Sequence, residues 1–204
     1  MKVKILTSYP KQTLEFDNVY FSSDLHLDHQ AVLDFGRKFE SLEWMNKYII
    51  DEINIKVKEN DLLVLLGDTL MNEKDYTNFL NKLNCDNIII LFGNHCNMGK
   101  LHSSLIECDK LLYIGHYLEL SIDKQIVCCS HYPLFNWNYQ DQNSFSLHGH
   151  LHADESDVVK EIHKYKSMDV GIDSYHKVFG TYSVYSFLEI KEILKDKLTI
   201  GRHE

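Results

Sequence analysis

Residues 62–68 have the sequence Leu-Leu-Val-Leu-Leu-Gly-Asp, an apolar run that ends directly in a glycine and a carboxylate. The same arrangement occurs on either side of it. Val19-Tyr20-Phe21 leads into Ser22-Ser23-Asp24, and residues 88–92 lead into Gly93-Asn94-His95. Short apolar runs bounded by turn residues are typical of buried strands. We therefore predict three buried strands, each followed at once by polar side chains.

Helical patterns separate these strands. A helix is predicted from apolar residues at helical spacing, namely Leu42, Met45, Ile49, Ile53 and Val57. Asn72 is a predicted N-cap for a second helix, whose apolar face carries Tyr76, Phe79, Leu80 and Leu83. This β-α-β-α-β order predicts an α/β fold with mixed sheets, formed by a single domain over residues 1–204.

The second half of the chain is richer in strand patterns. Residues 111–114, 117–120 and 125–129 are predicted strands, and Val184-Tyr185 is predicted to be extended. The sequence Ser186-Phe187-Leu188-Glu189 fits a capping box, in which the serine and the glutamate satisfy the first free N–H groups of a helix. We therefore expect a last helix to begin at this point.

Composition limits the classes of protein that the chain can represent. Hydrophobic residues make up 44% and charged residues 25% of the 204 residues, as in globular domains. The net charge of -9 argues against extended nucleic-acid binding, which normally needs an excess of Lys and Arg. Five cysteines without a Cys-x-x-Cys pair indicate neither a disulfide framework nor a thiolate zinc site. With no apolar run of membrane-spanning length and no signal-peptide core, we expect a cytoplasmic protein without membrane contact.

Polar residues capable of binding metals follow the predicted strands in five clusters. These are Asp24-Leu25-His26, Gly67-Asp68, Gly93-Asn94-His95, Ser130-His131 and Gly149-His150-Leu151-His152. Each cluster alone is weak, since a Gly-Asp pair usually just makes a turn. Together they offer carboxylate, amide and imidazole donors that suit Mn, Fe, Zn or Ni. The set is too large for one tetrahedral zinc and suits two divalent metal ions that share a bridging carboxylate.

The ordered motifs D-x-H, G-D, G-N-H, H and G-H-x-H resemble those of the calcineurin-like metallophosphoesterases, in particular small single-domain members of bacterial or phage type. The resemblance implies a four-layer α/β/β/α sandwich with two mixed β-sheets. It implies that Asp24, His26 and His152 bind a first metal and that Asp68 bridges both. A second metal would be bound by Asn94, His131 and His150, and His95 would face the substrate as general acid or transition-state stabiliser.

The activity that the resemblance implies is hydrolysis of a phosphomonoester or phosphodiester by a hydroxide bridging two metals, with a small nucleotide-like substrate favoured. His29 and Arg37 are candidate substrate-binding residues, because guanidinium binds phosphate oxygens in a bidentate fork. An exposed loop histidine, and an arginine that only solvates a loop beside Lys38, are the simpler alternatives. The alternative function is a catalytically inactive scaffold of this fold that binds other proteins.

The chain departs from the family pattern at two positions. Cys96 follows His95 where the family usually has Asp or Glu, an acid that commonly helps to orient the histidine. Thr69 and the residues after it lack the arginine-containing extension of the Ser/Thr protein phosphatases. The second departure disfavours a dedicated protein phosphatase.

Overall fold

Two β-sheets form the centre of the computed structural model, which describes residues 1–7, 12–71, 76–96, 108–199 and 201. The strands in these ranges are β1 (Lys2–Ile5), β2 (Gln12–Glu15), β3 (Val19–Ser22), β4 (Leu62–Leu65), β5 (Asn87–Leu91), β6 (Leu111–Gly115), β7 (Tyr117–Ile122), β8 (Gln125–Ser130), β9 (Phe145–His148), β10 (Ser167–Asp169) and β11 (Tyr185–Ser186). The helices are α1 (Ala31–Asp34), α2 (Leu42–Lys56), α3 (Tyr76–Asn81), α4 (Asp157–Ile162), α5 (Ile172–Phe179) and α6 (Phe187–Leu194).

Both sheets are mixed, so the predicted fold class is confirmed. One sheet has the strand order β11-β3-β4-β5-β6, in which β3 to β6 are parallel and β11 is antiparallel to β3. The other has the order β10-β9-β8-β7-β1-β2, in which β8, β9 and β10 are parallel and the remaining pairs antiparallel.

The apolar strands of the five-stranded sheet are buried on both faces. Alternate residues such as Phe21 and Val64 enter a core shared with the six-stranded sheet, where they join Leu118 and Val127. The residues between them, including Leu63, enter a second core with α2 and α3. Successive side chains of a strand point to opposite faces, which explains why these strands are apolar throughout rather than alternating.

The helices form for the reasons that the sequence indicates. Met45, Ile49 and Ile53 of α2 are buried, and the Ser41 hydroxyl accepts a hydrogen bond from the backbone N–H of Trp44. The capping box between Ser186 and Glu189 at the start of α6 is present. The predicted apolar face of α3 is buried, with Leu83 buried just after the helix; the predicted N-cap Asn72 lies outside the described residues.

The topology brings the ends of five strands to one region. Strands β3, β4 and β5 are parallel neighbours, so the segments that follow them leave the sheet at the same edge. Strands β8 and β9 are parallel in the other sheet and deliver His131 and His150 to the same place. In the part of the chain that the structure describes, no helix has both the length and the apolar character needed to cross a membrane.

Candidate metal centre

Three side chains present their ligand atoms to one point, and we call them the first-metal group: Asp24, His26 and His152. Nε2 of His26 lies 3.2 Å from Nε2 of His152, and these atoms lie 3.9 and 3.8 Å from Oδ1 of Asp24. A point equidistant from three atoms with these separations is about 2.1 Å from each, a normal metal–ligand bond length. The spacing therefore fits a single cation.

A second set of donors lies beside the first, and we call Asn94, His131 and His150 the second-metal group. Oδ1 of Asn94 lies 2.9 Å from Nε2 of His131 and 2.9 Å from Nδ1 of His150. Oδ2 of Asp68 lies 3.3 Å from Nε2 of His131, and Asp24, Asp68 and His131 also satisfy the spacing of a metal site. The structure thus brings all the predicted ligand residues together, with the two carboxylates among the imidazoles.

Several residues of this region adopt an uncommon backbone conformation. Five of the predicted ligand residues have positive φ angles between 47° and 71°, namely Asp24, His26, Asp68, His150 and His152. Non-glycine residues rarely adopt this left-handed region, and clusters of such residues are characteristic of functional sites. The sharp turns direct the ligand side chains of each loop, such as Asp24 and His26, towards the same centre.

Two glycines of the motifs are required by close packing. A Cβ atom on Gly93 would lie 2.0 Å from Oδ1 of Asp68, and one on Gly149 would lie 1.9 Å from the Ser23 hydroxyl and 2.4 Å from Oδ2 of Asp24. Both contacts are far inside van der Waals distance. The glycines therefore let neighbouring loops approach the two carboxylates directly.

Asp24 provides a test of whether the site suits a cation. Its side chain is fully buried, Oδ2 accepts a hydrogen bond of 2.8 Å from the backbone N–H of His150, and Oδ1 has no hydrogen-bond partner among the described residues. Burial raises the pKa of Asp24 to about 6, because a charged carboxylate is poorly solvated there. A divalent cation at Oδ1 would supply the missing partner and restore the charged form.

The imidazoles of the two groups differ in how strongly they hold a proton. Nδ1 of His131 lies 2.9 Å from the carbonyl oxygen of Leu66 and must donate to it, so the neutral form of His131 directs its Nε2 lone pair at the site. Burial, followed by the proximity of His152, lowers the pKa of His26 to about 3. Burial disfavours the charged forms of both His131 and Asp68. The hydrogen bond between the two side chains outweighs this effect, so the pKa of His131 is raised and that of Asp68 is lowered.

His95 and His29 lie beside these groups and line a cavity that opens next to the first-metal group. The ring centroids of His26 and His95 are 5.3 Å apart, and the backbone N–H of His95 donates to Oδ1 of Asp68 at 3.0 Å. Nδ1 of His29 lies 3.1 Å from Nδ1 of His26. The cavity is about 700 Å³ and is also lined by the exposed Phe35 and by Tyr182.

Cys96, which stands where the family usually has an acid, lies close to Gly93 and Asp68. Its Sγ accepts a hydrogen bond from the backbone N–H of Gly93 at 3.4 Å and lies 4.0 Å from Oδ1 of Asp68. The thiol therefore contacts the carboxylate that is expected to bridge the metals.

Arg37 has contacts that differ from both sequence interpretations. It is only 5% exposed, so it does not solvate a loop, and its guanidinium forms a bidentate pair with Asp173. It also donates to the backbone carbonyl groups of Asp24 and Leu25. These contacts do not favour Arg37 as a phosphate clamp, and that role stays a prediction.

Sequence reasoning missed two carboxylates of this region. Asp173 accepts a hydrogen bond from Nδ1 of His152 at 2.7 Å, and Asp169 accepts from the backbone N–H groups of Ala153 and Gly171. A signal for them exists, because residues 167–173 have the sequence Ser-Met-Asp-Val-Gly-Ile-Asp. This is another short strand with polar residues at and after its end, since β10 ends at Asp169 and is followed by Gly171 and Asp173.

The fold and the clustered metal-binding side chains are those of a metal-dependent phosphoesterase, and the comparisons with known proteins agree with this class. The calcineurin-like phosphoesterase family matches residues 18–199, and the chain belongs to that family. An uncharacterized protein of Methanocaldococcus jannaschii, MJ1445, is 29% identical over 160 residues, covering 76% of this chain and 81% of the relative. The crystal structure of AQ665 from Aquifex aeolicus, a protein of unknown function, shares the fold with a TM-score of 0.65 and 19% identity, covering 87% of this chain and 99% of that one.

Proposed function

We propose that the protein hydrolyses a phosphomonoester or phosphodiester with the help of two divalent metal ions. The observation that carries this proposal is the convergence of the first-metal and second-metal groups around Asp24 and Asp68, with a buried oxygen of Asp24 that lacks a hydrogen-bond partner among the residues the structure describes. Mn, Fe, Zn and Ni all remain candidates for this mixture of oxygen and nitrogen donors.

Two divalent cations, when bound, would lower the pKa of water enough to supply hydroxide near neutral pH and would offset negative charge on the phosphoryl oxygens. The chain's own contribution is to hold the donors rigidly. The left-handed turns at Asp24, Asp68 and His150 and the packed glycines fix these positions before a ligand arrives. Pre-organised donors need no rearrangement during the reaction, which is the main source of electrostatic catalysis.

His95 is proposed to act on the substrate rather than on a metal. Its side chain is exposed to the cavity, and it belongs to neither of the metal groups. From there its imidazole is suited to protonate the oxygen of the leaving group or to stabilise the charge on the phosphoryl group. His29 lines the same cavity and is proposed to contact the substrate.

The cavity supports a small substrate with an apolar or planar part. Its volume of about 700 Å³ lies in the range of small-molecule sites, and Phe35, 88% exposed, forms part of its wall. The rings of His176 and Tyr182 stack at 4.1 Å within this wall. Together with the net charge of -9, which disfavours long nucleic acids, these features favour a nucleotide-like ester.

The decisive experiment is a hydrolysis screen of metal-free protein reconstituted with Mn, Ni, Zn or Mg. The substrates are phosphomonoesters, linear phosphodiesters, cyclic nucleotides and dinucleoside polyphosphates. We expect hydrolysis with at least one metal and its loss after chelation. Metal analysis that finds no bound ion even after incubation with manganese would favour the alternative of a protein-binding scaffold.

A further inference from the structure

We propose that Arg37 and Asp173 form a positioning clamp that holds the three residues of the first-metal group and so sets the affinity of that site alone. The inference rests on the proposed function in one respect, namely that the first-metal group binds a cation. Neither residue belongs to a metal group, and each acts through a ligand rather than on the substrate.

Asp173 fixes the ring of His152. The carboxylate lies on α5, and its Oδ2 is 2.7 Å from Nδ1 of His152. Since a carboxylate can only accept, Nδ1 carries the proton and the lone pair is left on Nε2, the atom that faces Asp24 and His26. A carboxylate that orients a ligand histidine in this way also raises its basicity.

Arg37 fixes the other two residues through the backbone. Its Nη2 and Nη1 donate to the carbonyl oxygens of Asp24 and Leu25 at 2.5 and 2.6 Å, which holds the turn that carries Asp24 and His26. Its Nε and Nη2 donate to the two oxygens of Asp173, each at 2.8 Å. Four of its N–H groups are thus directed at the segments that carry the first-metal group.

The planar fork explains why arginine is suited to this position. Its donors satisfy one carboxylate and two carbonyl groups at once, whereas the point charge of lysine cannot match that geometry. The clamp joins three parts of the chain that are distant in sequence: the segment after α1, the helix α5 and the loop after β9. Its formation therefore assembles the first-metal group from separate elements.

The second-metal group is held by other contacts. Nδ1 of His131 is fixed by the carbonyl oxygen of Leu66, and Asn94 contacts the rings of His131 and His150. None of these contacts involves Arg37 or Asp173. Loss of the clamp should therefore weaken one of two metal sites rather than both.

The test is a titration of metal-free protein with Mn²⁺, in which free Mn²⁺ is followed by electron paramagnetic resonance. We expect Asp173→Asn and Arg37→Lys to weaken one of the two binding events by about ten- to a hundredfold and to leave the other unchanged. The control Asp61→Asn removes another hydrogen-bonded carboxylate, which lies just before β4 and is more deeply buried than Asp173, and it should change neither event.

A double-mutant cycle separates positioning from general damage to the structure. In a His152→Ala background, Asp173→Asn should have a clearly smaller effect on the weakened binding event than in the wild type, because only its contact with Arg37 remains. Additive losses, equal weakening of both events or unchanged affinities would each overturn the clamp.

A measurement on the wild-type protein keeps the proposal testable if the variants do not fold. Long-range ¹⁵N–¹H correlation spectra report which imidazole nitrogen carries the proton, and we expect Nδ1–H for His152 with a zinc-loaded site. Protonation at Nε2 would overturn the proposal. Wild-type protein that binds no metal would overturn both this inference and the proposed function, whereas two bound ions without hydrolysis would count against the function alone.

Discussion

The carboxylate of Asp24 and the backbone N–H of His150 are joined by a 2.8 Å hydrogen bond that connects the two sheets across the metal centre. Asp24 follows β3 of the five-stranded sheet, and His150 follows β9 of the six-stranded sheet. The bond uses Oδ2 only, and within the described part of the chain Oδ1 is buried without a hydrogen-bond partner. The metal-free protein therefore bears an energetic cost at this carboxylate that a cation would remove.

Substitution Asp24→Asn should reveal this cost as a pH dependence. Burial raises the pKa of Asp24 to about 6, above its value in the unfolded chain, so the folded state holds the proton more tightly. The contribution to stability is then fully present below pH 4 and is lost as the pH rises through 6. In chelator, the unfolding free energy of the wild type minus that of Asp24→Asn should fall by up to about 3 kcal/mol between pH 4 and 7.

Denaturant unfolding of both proteins at several pH values makes this measurement, and the difference cancels groups that titrate identically in each. A difference that stays constant with pH would contradict the assignment. At saturating manganese the wild type should have the larger unfolding free energy of the two proteins, because the cation binds only the native site.

Asp68→Asn should impair hydrolysis more than His152→Ala does. Asp68 lies beside His131 and accepts from the backbone of His95, and it is the carboxylate expected to serve both ions. His152 belongs to the first-metal group alone. Neutralising a bridging ligand should loosen both metals, which metal analysis and kcat at saturating manganese will show. Equal residual activity in the two variants would count against Asp68 as the bridge.

The parts of the fold that were predicted are those with strong local patterns. Strands β4 and β5 are continuous apolar runs, and α2 has a regular apolar stripe. Strand β1 was not predicted, although Val3 and Ile5 are buried and Lys2 and Lys4 are exposed. Four alternating residues give a weak signal, and a long-range pairing with β7 stabilises the strand. Strand β10 is three residues long and equally weak as a pattern.

In the candidate site, too, the residues with a local sequence pattern were predicted and those without one were not. Most of its predicted ligands follow predicted strands, and the family resemblance completed the set with His150 and His152, which follow the unpredicted strand β9. The contacts of Arg37 could not be predicted, because its partner Asp173 is 136 residues away and no local pattern connects them. Only the fold, which packs the segment after α1 against the helix α5, brings Arg37 and Asp173 together.

A pair of histidines outside the metal groups predicts a second pH effect with the opposite sign. Nε2 of the buried His148 lies 2.9 Å from Nε2 of His163, and burial lowers their pKa values to about 4 and about 3. Between about pH 4 and 6.5 these two histidines therefore bind protons in the unfolded chain but not in the folded protein. Their contribution to stability is present above about pH 6.5 and is lost as the pH falls towards 4.

His163→Gln retains a hydrogen-bonding side chain for His148 but removes one titrating group. In chelator, we expect the variant to lose less stability than the wild type between pH 7.5 and 5, by about 1 kcal/mol after allowance for the partial exposure of His163. Thermal unfolding at the two pH values makes the comparison. His176→Gln is a matched control on the exposed end of α5, and an equal effect there would refute the assignment.

His95→Ala should separate protonation of the leaving group from stabilisation of the phosphoryl group. The side chain of His95 lies beside the metal groups without belonging to one, so the variant should fold and retain its metals. An alkoxide gains from a proton as it leaves, whereas a nitrophenolate gains little. General acid catalysis is typically worth about a hundredfold to ten-thousandfold. We therefore expect kcat/KM of His95→Ala to fall much more on alkyl phosphoesters than on nitrophenyl esters.

A uniform loss on both would assign His95 to charge stabilisation instead, because that contribution is needed whatever the leaving group. Loss of bound metal in the variant would show that His95 is a ligand after all, and metal analysis of the same samples distinguishes this outcome from the other two.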